Sequence, residues 1–232
     1  MNLKTILKKP FEKLSLPYWG IIAIIILTMG FLVPSIAYSG KDGEAYSFLN
    51  HAISELGELG VSELAIIFNI FIFFGAIFAL VFFLGLSLYI DNKISLVAGI
   101  IGVVASLGGI FVGIFPMNFP GPHYIAAMTF FFGGMLTVAV FSIAILFDKE
   151  KKIHWIFSIL GFIVVLFFAL FLFYPYAETY RVSGALRILY DLFYSRPAFL
   201  LPFFFEWMTL ITIMIWVGII SIVFLINRIN LI

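Results

Sequence analysis

The chain has 232 residues, 64% of them hydrophobic and 11% charged, with 30 Phe and a formal net charge of +1. Soluble domains carry about 25% charged residues, so a water-soluble fold is excluded. The near-neutral charge argues against nucleic acid as a partner. The absence of cysteine removes disulfides and thiolate metal sites.

Apolar runs of roughly 20 residues recur, each long enough as a helix to cross a hydrocarbon core about 30 Å thick. They are continuous rather than alternating, which selects helices over a barrel. The expected fold is an all-α integral membrane protein: six transmembrane helices in one bundle, with two short amphipathic external segments. Residues 1–232 read as a single polytopic domain, with spans at about 18–38, 64–90, 94–115, 123–147, 153–175 and 199–226. The first span has a basic start and ends in Ser35-Ile36-Ala37, like a signal peptide. Its long basic region and long apolar stretch favour a retained anchor instead.

Between the first two spans, residues 46–60 break the apolar pattern. His51, Ser54, Glu55 and Glu58 recur at helical spacing, and Ile53 and Leu56 mark another face. This predicts a short amphipathic helix at the membrane interface. A His–Glu pair four apart can serve as base and orienter or as two metal ligands, while a solvated surface face is the plainer alternative.

Asn69 falls inside the second span, as an expected interhelical hydrogen-bond donor. In the third span Ala98, Gly102, Ser106 and Ala105, Gly109, Gly113 form two small-residue stripes, which let helix backbones approach closely. Asp91-Asn92-Lys93 is a tight turn, and Pro116, Pro120, Gly121 and Pro122 rigidify the link into the fourth span. His123 stands at the start of that span, where the helix dipole favours the neutral imidazole.

Residues 178–197 read as a second surface helix. Its Arg181 and Arg187 suit a lipid headgroup or another anion. Glu206 lies inside the last apolar run, and a carboxylate at membrane depth points to function by default. Its expected partners are His123, His51, Arg181 and Arg187.

Orientation follows from the loops. Lys4, Lys8, Lys9, Lys13, Lys93, Lys149, Lys151, Lys152 and Arg228 fall on one side, against Lys41, Arg181, Arg187 and Arg196 on the other. Both termini are therefore expected in the cytoplasm of a cell whose plasma membrane the chain crosses. Asp42, Glu44, Glu55, Glu58, Glu63, Glu178, Asp191 and Glu206 then face outward. No phosphate-binding glycine loop, His-Glu-x-x-His or Gly-x-Ser-x-Gly motif occurs.

Ile53-Ser54-Glu55-Leu56-Gly57 before a span, Phe68-Asn69 within it, Phe115-Pro116 followed by His123, and Glu206 opening the last span form a set. Together they resemble the domain-of-unknown-function 998 family, a prokaryotic, often archaeal, group of six-helix integral membrane proteins. The resemblance covers most of the chain and implies that Ser54, Gly57, Asn69, Pro116, His123 and Glu206 occupy recurring family positions. His51 and Glu55 belong to that pattern less, and Trp207 after Glu206 departs from it. The family brings an architecture and no activity.

The functional expectation is a polar site at the outer-leaflet face that binds or acts on a lipid or lipid-linked substrate. Glu206, His123 and Ser54 are its catalytic candidates, with Asn118, Glu55, His51 and Asn69 as polar positioning groups. The sequence requires no cofactor, and a divalent metal would have His123 and Glu206 as ligands. Membrane lipids are the expected partners. An accessory or structural membrane subunit is the alternative reading. A transporter ranks lower, because midplane polar residues and matching halves are lacking.

Overall fold

A computed structural model describes residues 16–174 and 198–229. The second external segment, with Arg181, Arg187, Arg196, Glu178 and Asp191, lies outside the described residues. Six α-helices occur among these described residues: α1 (Leu16–Ala37), α2 (Ala65–Ile90), α3 (Lys93–Ile114), α4 (Pro120–Leu146), α5 (Ile156–Phe173) and α6 (Leu201–Ile229). All six are long and apolar enough to cross a membrane. Their outer faces carry side chains such as Ile66, Ile100, Ile125 and Leu166, the surface a hydrocarbon solvent requires.

The turns explain the boundaries. Asp91 ends α2 in the left-handed conformation (φ 58°), and its N–H bonds Ser87 O at 3.0 Å. Asn92 then caps α3: its Oδ1 accepts Ser95 N–H (2.7 Å), while its own N–H donates to Ser95 Oγ (3.1 Å). This reciprocal cap satisfies two donors that would otherwise be orphaned. The turn is also clasped from the side, by Asn92 Nδ2 on Ala144 O (3.0 Å) and Lys152 Nζ on Ile90 O (3.0 Å). Helix α4 starts at Pro120, earlier than the expected His123. Proline suits a first helical turn, where its missing N–H costs nothing.

Each helix packs on its neighbours in chain order, and α1 returns to pack on α6, so the six form a closed ring. The two halves of the ring differ because their side chains differ. Towards the α2–α3 turn, Phe82, Phe141, Phe157, Trp216 and Ile220 fill the interior, and Phe168 packs on Gly134 midway along α4. Towards the opposite end a smaller cluster forms from Phe31, Tyr38, Ile53, Leu56, Phe68, Ile72 and Trp207.

Helix α3 sits tightly against both neighbours. A Cβ on Gly108 would stand 2.6 Å from Phe130 N, and one on Gly113 would stand 2.7 Å from Asn69 O. Close backbone approach of this kind needs glycine.

Candidate functional site

The segment joining α1 to α2 folds over the end of the ring as a cap. Only Ile53–Gly57 is helical, as one 3-10 turn, so the expected amphipathic helix over 46–59 is not formed. His51, Ser54, Glu55 and Glu58 therefore do not share a helical face. His51 and Glu55 are 2% and 4% exposed, which also removes the solvated-face reading.

Specific polar partners in the cap outweigh helical propensity. Tyr46 Oη–H donates to Ala52 O (2.9 Å) and accepts Trp207 Nε1–H (3.2 Å). Glu55 Oε1 accepts the Ala52 N–H at 2.7 Å, and Tyr38 Oη lies 3.5 Å from Glu55 Oε2. His51 packs against Tyr38 and Tyr46. Its Nδ1 meets Ser47 N–H at 3.2 Å and its Nε2 is 4.0 Å from Glu44 Oε1. Burial, with Glu206 and Glu55 nearby, holds the Tyr46 hydroxyl well above its ordinary pKa.

The cap is tethered to the helix ends around it. Ser39 donates both its hydroxyl and its N–H to the Glu63 carboxylate. Asn69, on α2, donates to Gly57 O at 3.0 Å, so the partner of this buried amide is the cap rather than a neighbouring span. Asn118 grips Leu59 twice, accepting its N–H (2.7 Å) and donating to its carbonyl (3.0 Å). The Ser54 hydroxyl reaches Met117 Sδ at 3.6 Å. On the α6 side, Leu200 N–H donates to Leu49 O (2.8 Å) and Ile53 N–H to Glu206 Oε2 (3.2 Å).

Beneath the cap a cavity opens between the helices, about 1070 Å³ when the open space at its mouth is counted. Its walls are apolar and come from α1, α2, α3, α4 and α6. Small residues create the space: Ala23, Ala76, Ala79, Ala105, Gly109, Ala127 and Gly134 line it, where the opposite half of the ring has Phe and Trp. The stripes read in α3 thus divide. Gly108 and Gly113 carry backbone packing, whereas Ala105, Ser106 and Gly109 also line the cavity, with Ala105 against Gly133 and Gly109 against Ala76.

Three of the expected site residues meet at this cavity. Ser54, His123 and Glu206 line it at the cap end, and Ser106 lines it deeper, on α3 between Gly102 and Gly109. Glu206 is 9% exposed. Among the described residues its only hydrogen bond is the Ile53 N–H to Oε2, which leaves Oε1 without a partner, and no Lys or Arg pairs with it. His123 Nδ1 is 2.8 Å from Phe115 O. A carbonyl only accepts, so Nδ1 carries the proton and the neutral ring keeps its lone pair on Nε2.

Asn118, Glu55, His51 and Asn69 do not line the cavity. Each of them bonds the cap's own backbone, and Glu55 and His51 bond its side chains as well. Among the described residues no three His, Asp or Glu side chains gather as a metal site. The Tyr46–Trp207 bond escaped sequence reasoning, because no spacing signal links residues 161 positions apart.

Comparisons with curated proteins and with solved structures returned no match. A family model described as "Protein of unknown function (DUF998)" matches residues 21–223. With the match running from within α1 to within α6, the chain belongs to the DUF998 family of multi-pass membrane proteins.

Proposed function

We propose that this protein binds a single-chain amphiphile, with the apolar chain in the ring cavity and the polar head at Ser54, His123 and Glu206. The observation that carries this reading is a buried carboxylate with an unpartnered oxygen at the polar end of an otherwise apolar cavity. Ligand sites are typically apolar pockets with a few convergent polar groups. Length supports an acyl-type chain. From Glu206 to Val217, α6 rises about 16 Å at 1.5 Å per residue, near half the hydrocarbon core. One leaflet's lipid tail has that reach. With the lysine-rich turns at the opposite end, the cap faces the outside of the cell and the site opens to the outer leaflet.

A test uses an uncharged alkyl glycoside carrying a diazirine in its tail, photolysed with the full chain in nanodiscs. Labelling is expected on cavity residues such as Leu210 and Phe130, and to fall in Ala127→Phe and Leu210→Trp. Labelling confined to outward residues such as Ile100 and Ile125, unchanged in those variants, would overturn the proposal.

A catalytic reading of the same site rests on His123. A histidine whose Nδ1–H is held by a carbonyl offers Nε2 as a positioned base, and Glu206 would share the proton transfer. It requires turnover of a bound amphiphile that is lost in His123→Leu while binding of the uncharged probe persists.

A further inference from the structure

The cap end of the cavity accepts hydrogen bonds and has few to give. The polar side chains there are Ser54, His123 and Glu206, with Ser106 deeper on α3, and no Lys or Arg is among the described residues that line the cavity. Glu206 Oε2 is bonded to Ile53 N–H, while Oε1 has no partner among the described residues. The His123 Nδ1 proton is committed to Phe115 O, so in the neutral ring Nε2 is a second acceptor. The Ser54 hydroxyl is turned to Met117 Sδ.

A carboxyl withdrawn from water requires a proton, a counter-charge or strong donors. Among the described residues no group supplies a counter-charge: Glu55, which acts on Glu206 electrostatically, has the same sign of charge. A ligand head bearing phosphate or carboxylate would add a third like charge, whereas an ammonium supplies both the charge and the N–H donors.

Resting on the amphiphile reading above, we infer that the cavity selects a cationic amphiphile, a long-chain amine or a lipid with an amine head, whose N–H groups bind Glu206 Oε1. His123 Nε2 is the second acceptor for the same head. The apolar chain contributes affinity without selecting among heads, so the discrimination resides in Glu206.

The test compares three probes of equal chain length on the full chain in uncharged maltoside micelles near neutral pH. Hexadecylamine, hexadecanol and hexadecanoate each compete against a neutral fluorescent alkyl probe. The amine is expected to displace it at least about tenfold more tightly than the carboxylate, the difference one charge-assisted hydrogen bond supplies. In Glu206→Gln, which keeps an acceptor for Ile53 N–H, that preference is expected to vanish.

The alcohol or the carboxylate binding as tightly as the amine overturns the inference and leaves the amphiphile reading standing. So does an amine preference that persists in the variant. Displacement by none of the three overturns the amphiphile reading itself. The ranking on the unmodified protein decides the matter even where the variant does not fold.

Discussion

Glu206 and Ile53 lie 153 positions apart, and a hydrogen bond of 3.2 Å from the Ile53 N–H to the Glu206 carboxylate joins them. Through it the most polar connection of the chain is seated on a membrane-spanning helix. The same carboxylate therefore has a structural oxygen, Oε2, and a free oxygen, Oε1, and the two can be separated by substitution.

Glu206→Gln retains an acceptor for the Ile53 N–H, whereas Glu206→Ala strands a buried donor. The alanine variant is expected to lose about 1–3 kcal/mol of stability, the cost of an unsatisfied buried group, and the glutamine variant markedly less. Thermal unfolding in maltoside micelles reads the order directly; equal losses would mean that the hydrogen bond does not hold the cap.

Asn69 and Asn118 tie the same 3-10 turn and its exit from two sides but differ in burial. Asn69 is 8% exposed and its partner Gly57 is buried, so Asn69→Leu is expected to cost about 1–3 kcal/mol. Asn118 is exposed and water can replace both of its bonds, so Asn118→Ala should cost under about 1 kcal/mol. Hydrogen exchange across residues 53–60 should rise more in the first variant than in the second.

Gly108 is predicted to tolerate no side chain. Its Cβ position is 2.6 Å from Phe130 N and 2.8 Å from Ala126 O, backbone atoms that move only if α3 and α4 separate. Gly108→Val should destabilise by about 1–3 kcal/mol or more, as overpacking does. Gly121→Ala, with nothing within 4 Å of its Cβ position, serves as the neutral control.

The link between Ser39 and Glu63 predicts a pH response. Hydrogen bonds from the Ser39 hydroxyl first, and its N–H next, hold the Glu63 carboxyl below its ordinary pKa. A depressed carboxylate stabilises the folded state above its unfolded value and loses that contribution as pH falls through the folded one. Corrected for intrinsic rates, exchange of the Ser39 amide should stay constant from about pH 7 to about pH 5 and accelerate below the usual Glu value of about 4.3. Glu63→Gln should abolish the acid-side change. The same acceleration in that variant would assign it to another group.

The helices were legible because lipid imposes a strong, local demand: unbroken apolar runs such as Ala65–Ile90 admit one secondary structure. The tight turn at Asp91 was equally local. The cap was not legible. Its polar residues repeat at helical spacing, yet Tyr46, Glu55 and Asn69 hold its backbone in turns through bonds that periodicity does not encode. Glu206 stood out by its depth, and His123 by its place after Pro122, but their common cavity was invisible. Alanine and glycine stripes look the same whether they only admit a neighbouring backbone, as Gly113 does, or also line a cavity, as Ala105 and Gly109 do.

The filled half of the ring makes the assembly a cup rather than a tube. Phe82, Phe141 and Trp216 close its floor, and the space above them ends near Phe83, Gly134 and Val217. In this arrangement a guest has no straight route from one face to the other. A guest that enters at the cap end would have to leave by the same end.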